Sequence, residues 1–145
     1  MSVDGSKNIL RATRFLRICF WAGAITDLGA AIQMLSTRVF ALAYQVPDFA
    51  PGPDYRFAMG MGAALMLGWT VLLWWADRAP LARKGVLVIT VVPVIAGLAA
   101  NQGFALANGF IPATALVPVW CLQLLLSCAF VVAYFNARAA ERRRA

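Results

Sequence analysis

The chain has 145 residues, 62% hydrophobic and 13% charged, and no histidine. A soluble domain of about 150 residues still leaves roughly 30% of its unfolded-chain surface in water, and is nearer half apolar, so this chain must expose much of its surface to lipid. Thirteen Lys and Arg against six Asp and Glu give a formal charge of +7, but the cations stand in short clusters between apolar runs, which suits a membrane protein and not a nucleic-acid binder.

The chain opens on a short basic amphipathic segment. Lys7, Arg11, Arg14 and Arg17 cover one helical face, with Ile9, Ala12, Phe15 and Leu16 mostly opposite. This segment is expected to rest on the anionic inner leaflet before the chain turns into the bilayer, each cation contributing about 1 kcal/mol. Residues 15–36 then form a first span, long enough for the roughly 30 Å of hydrocarbon. Asp27 interrupts that apolar run and the basic region before it is long, so the run is read as an uncleaved span and not as a secretory signal.

Residues 37–55 make an outer loop, too long for a minimal connection. It holds Phe40, Tyr44, Phe49 and Tyr55 among Pro47, Pro51 and Pro53. A short interfacial helix is expected over residues 37–45, followed by a proline-stiffened return. The aromatic residues read as an anchor at the outer interface, with a lid or docking surface as the alternative.

A second span covers residues 57–76, bounded by Arg56 and by Asp77-Arg78. After Lys84 no charge occurs until Arg138, a run that suits two helices and a turn. Asn101-Gln102-Gly103 through Pro112 supplies the turn, leaving spans at about residues 85–100 and 113–135. Pro93 should bend the third span by removing the bond to the Ile89 carbonyl, and the Thr90 hydroxyl is placed to satisfy nearby backbone. Trp74, Trp75 and Tyr134 fall where an inner aromatic belt is expected, with Trp21 about one turn inside it.

Charge placement sets the topology. Lys7, Arg11, Arg14 and Arg17 precede span one; Arg78, Arg83 and Lys84 separate spans two and three; Arg138, Arg142, Arg143 and Arg144 follow span four. Arg38 and Arg56 lie in the first loop and are balanced by Asp48 and Asp54. The positive-inside rule then puts both termini and the middle loop in the cytoplasm. The expected fold is therefore all-α and integral to the membrane: one domain over residues 1–145, a four-transmembrane-helix bundle of the plasma or inner membrane.

Asp27 is the most informative residue. An acid near the bilayer centre costs roughly 2.5–3.5 kcal/mol on insertion scales, so it should face the bundle interior. It marks either a ligand, ion or proton path, or a polar contact that holds helices together. Gln123 and Ser127 on span four, Thr90 on span three and Thr70 on span two lie at matching depth and complete a candidate polar site. No basic residue lies within a span, so a salt bridge would need Arg38 or Arg56 to reach down from the outer rim. Gly23, Ala30 and Ala31 keep the helix small-sided around Asp27, and Gly60-x-x-x-Ala64-x-x-x-Gly68 on span two is expected to pack against span one.

The residue inventory excludes much chemistry. Without histidine there is no Ser-His or Cys-His pair and no imidazole ligand, and no metal or cofactor is expected. Cys19, Cys121 and Cys128 form no C-x-x-C pair and read as small buried thiols. Gly60-Met-Gly62 begins like a dinucleotide fingerprint but lacks the third glycine and a preceding strand.

Four short helices with an acid in the first span are similar to the small multidrug transporters. The acid here is aspartate, the first loop is much longer, and the charge bias is too strong for a dual-topology dimer, so no functional residue is carried across. The expected role is a non-catalytic accessory or interaction protein with lipid contacts and a homo-oligomeric or protein partner. The alternative is a small transporter or ligand-binding bundle using Asp27 in a polar pocket.

Overall fold

A computed structural model of the chain describes residues 3–143, with side chains from residue 7 onward. The described residues are helical throughout apart from turns and loops. The helices are α1 (Val3–Leu35), α2 (Thr37–Ala43), α3 (Pro53–Asp77), α4 (Gly85–Ala107) and α5 (Ala113–Arg142). All but the short α2 are long and apolar enough to cross a membrane, which points to a membrane protein. Arg144 lies outside the described residues.

The helix ends follow local chemistry. Ser36 caps α2, its hydroxyl accepting from the Val39 amide. Pro53 opens α3 with Asp54 in the first turn, where a missing N–H costs nothing and a negative charge meets the helix dipole. Within α4, Thr90–Ile95 around Pro93 is π-helical, so a wider turn accommodates the residue that cannot donate. The Thr90 hydroxyl donates to the Val86 carbonyl at 2.9 Å, the local backbone contact its position suggested.

Two boundaries differ from the sequence reading. The basic N-terminal segment does not turn before the bilayer; it is the first part of one continuous α1. Helix α4 also runs past Asn101-Gln102-Gly103 to Ala107. It stops where Gly109 takes φ +69°, its amide bonding to Leu106 and that of Phe110 to Ala105, the paired bonds of a glycine-terminated helix. The turn is thus confined to residues 108–112.

Helix α1 is the centre of the bundle, with α3 and α5 packed along it. The close-packed core fills the half of the bundle nearest the termini, around Leu16, Phe20, Leu73, Leu87, Phe130 and Ala133. Gly23 allows this approach: a Cβ there would lie 3.0 Å from Leu73 Cδ1 and 3.1 Å from Phe130 Cζ. Helix α4 meets α5 closely over its first turns and only sparsely beyond Ala96. The bundle is dense at one end and open at the other.

The small-residue stripe does not do what its spacing suggested. A side chain at Gly60 or Gly68 would meet nothing within 4 Å, and Ala64 is exposed. Helix α3 instead packs through Ala63, Met66, Leu73 and Ala76. Cys121 and Cys128 are exposed on α5; only Cys19 is buried.

At the end holding the termini, two ion pairs tie elements together. Arg17 on α1 pairs with Asp77 at the end of α3, and Lys84 pairs with Glu141 on α5 at 2.7 Å. Arg17 is exposed on α1, as are Lys7, Arg11 and Arg14, and is in addition tied to α3 through Asp77. Arg83 lies over the Trp75 ring, 3.4 Å from its centroid, and Arg78 over Trp74 at 5.9 Å.

Candidate functional site

The open half of the bundle holds a half-open cavity of about 690 Å³ that reaches Asp27. Its inner end rests on the packed core at Gly23, Met66, Thr90 and Phe130. Helix α1 contributes Asp27 together with Ala30 and Met34, which follow it at helical spacing along one face. The small Ala30 leaves room in front of the carboxylate.

Asp27 is 7% exposed, and its Oδ2 atom has no hydrogen-bond partner. Gln102, also 7% exposed, presents an unpartnered Oε1 from α4, and Gln123 presents another from α5. All three residues line the same cavity. Buried polar atoms are normally satisfied, so three such oxygens around one space mark a place where something else supplies donors. Thr90 is not among them: its hydroxyl accepts from Trp69 Nε1 at 3.1 Å and donates to its own helix.

Of the residues expected to meet, Asp27, Gln123 and Thr90 share the cavity. Thr70 and Ser127 do not line it. The Thr70 hydroxyl turns back to the Met66 carbonyl at 2.9 Å, as threonine commonly does in a lipid-embedded helix. Neither outer arginine reaches Asp27: Arg38 is exposed, and Arg56 borders a separate crevice of about 170 Å³ beside Gln33, Thr37 and Tyr55. No ion pair forms at Asp27 among the described residues.

Gln102 is the residue that sequence reading missed. Its neighbours Asn101 and Gly103 looked like turn residues, but the positive-φ glycine that ends α4 comes six residues later, at Gly109. The pair Asn108-Gly109 was the available signal.

The outer end of the cavity is covered by aromatic rings. The Phe40 ring lies tilted at 4.7 Å from Tyr44 and 4.6 Å from Phe49, and Phe49 meets Tyr55 at 5.4 Å and Phe110 at 5.9 Å. Phe110 belongs to the turn between α4 and α5, so the first loop and that turn close on each other. The rings form a cap over the cavity, nearer to the lid that the sequence offered as its alternative than to the interfacial anchor it favoured. A hydrogen bond from Thr114, in the first turn of α5, to Gln45 at 2.9 Å ties the first loop to the helix that follows that turn. Burial pushes the Tyr44 phenol above its ordinary value, with Gln102 beside it pulling the other way, so the phenol stays a donor at neutral pH.

Chemically, the lining offers one carboxylate, several amides and two phenols on an apolar frame. Among the described residues no three metal-ligating side chains gather. No family model, no curated protein and no solved structure matches the chain.

Proposed function

We propose that the protein is a small transporter or ligand-binding bundle of the inner membrane, with both termini in the cytoplasm, that takes a small molecule at Asp27. One observation carries this reading: a cavity of about 690 Å³ ends on a buried carboxylate oxygen that has no partner. A carboxyl serving only to hold helices together would be packed against its hydrogen-bond donor. Small-molecule sites typically occupy about 300–1,000 Å³ and are apolar with a few convergent polar groups, as here. The orientation rests on the Lys and Arg clusters at the end that holds the termini.

Native mass spectrometry of the chain released from its own membranes tests the reading. The wild type should carry a bound small molecule, and Ala30→Phe, which fills the space before Asp27, should release it. Identical spectra for two folded proteins would overturn it.

A second reading, a non-catalytic accessory protein that associates with itself or with a partner, draws on the outward-facing Gly60, Ala64 and Gly68. Small residues facing away from their own bundle allow another helix to approach closely. A discrete crosslinked species from cysteines introduced beside Ala64 would favour that role.

A further inference from the structure

We propose that the ligand of this cavity is an organic amine in its cationic form, a primary ammonium carried on a compact apolar body. The inference rests on the ligand-binding reading above and names the chemistry of its ligand. Charge is the first ground. Asp27 is the one Asp, Glu, Lys or Arg among the residues lining the cavity, so a charged ligand meets a carboxylate and no competing cation. The nearest arginines of the outer loop are exposed and turned elsewhere.

Hydrogen-bonding capacity is the second ground. Among the residues lining the cavity the buried unpartnered atoms are all oxygens, Oδ2 of Asp27, Oε1 of Gln102 and Oε1 of Gln123; the unpartnered donor Trp120 Nε1 lies outside it. A carboxylate and an amide carbonyl accept, whereas an ammonium brings three donors and no acceptor, the complement of that set. A carboxylic acid anion or a phosphate would set acceptor against acceptor. An alcohol would supply one donor and leave two of the oxygens bare.

The walls fit the remainder of such a molecule. Rings of Phe40, Tyr44, Phe110 and Phe130 line the cavity, and aromatic faces attract cations while accommodating apolar bodies. Leu98 and Met66 add flexible apolar surface. The space is far larger than a bare metal ion needs, and the described residues offer no cluster of three acidic or thiol ligands. The inner end is closed by the packed core, so the amine enters past the aromatic cap or from the lipid side.

The test uses the full chain in lipid nanodiscs and three probes of one shape: phenethylamine, phenethyl alcohol and phenylacetate. Calorimetric titration is run on the wild type, Asp27→Asn, Gln102→Leu and Ala30→Phe, with Ala30→Phe correcting for partition into lipid. The amine should bind the wild type about tenfold or more tighter than the alcohol, the worth of a charge-assisted hydrogen bond in a buried site. Asp27→Asn should erase that preference while keeping the alcohol's affinity. If Asp27→Asn does not fold, Gln102→Leu supplies the reading, since loss of one acceptor should weaken the amine more than phenylacetate. Equal or tighter binding of the alcohol or phenylacetate, abolished by Ala30→Phe, would overturn the amine assignment and leave the ligand cavity standing. The same holds if sodium chloride alone titrates into the site and displaces the amine. If no probe binds the wild type better than Ala30→Phe, both the amine assignment and the ligand-binding reading fail.

Discussion

Arg17 and Asp77 join α1 to the end of α3 through two side-by-side hydrogen bonds, Nε to Oδ1 at 2.9 Å and Nη2 to Oδ2 at 3.1 Å. Trp21 adds a third donor to the same carboxylate at 3.3 Å. The Asp77 side chain is 8% exposed and that of Arg17 is 57% exposed, so the pair is a water-facing cation over a sheltered anion. Removing the arginine leaves the anion with one donor in a poorly solvated place. Arg17→Ala should therefore lower the thermal midpoint in detergent more than Arg14→Ala does. Arg17→Lys should recover little, because an ammonium cannot reproduce the two-pronged geometry. The double variant Arg17→Ala/Asp77→Ala should melt above Arg17→Ala alone; additive losses would show that the two residues act separately.

The close approach at Gly23 predicts a size-sensitive position. Leu73 and Phe130 are both fully buried, so neither can move aside freely for a larger side chain. Gly23→Val should cost about 1–3 kcal/mol by overpacking. Pairing it with Phe130→Leu should restore part of that loss, as measured by unfolding in detergent. A Gly23→Val protein as stable as the wild type would mean that the helices part more easily than their packing suggests.

Asp27 separates a binding role from a structural one by the sign of a stability change. Its Oδ2 is buried without a partner, an arrangement that costs stability in the unliganded protein. Asp27→Leu should accordingly stabilise the empty protein, by about 1–3 kcal/mol, while removing ligand binding. A loss of stability on the same substitution would mark the carboxyl as a contact that holds the helices together.

Topology is checked by reporter fusions. A fusion after Asp48 should be active outside the cytoplasm and one at the C-terminal end inside it, as the basic clusters require. The opposite pattern would reverse the bundle and turn its open half toward the cytoplasm.

The second span, α3, was legible because charges bracket it: residues 57–76 lie within the observed Pro53–Asp77. Asp27 was legible for a related reason, since an acid in the middle of an apolar run has only the interior to face. What the helices do to one another was harder to read. Small residues at four-residue spacing suit a lipid-facing surface as well as a helix contact, so the face of Gly60, Ala64 and Gly68 was undetermined by spacing. Arg17 carries no local sign of its partner, because Asp77 is brought to it only by the antiparallel return of α3. Gln102 was hidden by composition: polar residues around a glycine look like a turn until the true stop at Gly109 is recognised.

The π-helical segment around Pro93 sets the phase of the third span. In an unbroken α-helix, at about 100° per residue, Gln102 would stand about 120° around the axis from Thr90, twelve positions earlier. A π turn takes up one extra residue, and the offset falls to about 20°. Both residues line the cavity, Thr90 at its inner end and Gln102 further out. The third span thus behaves as two half-helices geared so that one polar edge continues across the proline. Deleting Pro93 itself would restore a regular helix without moving either polar side chain off that edge. An insertion there would swing Gln102 out of the cavity and toward lipid.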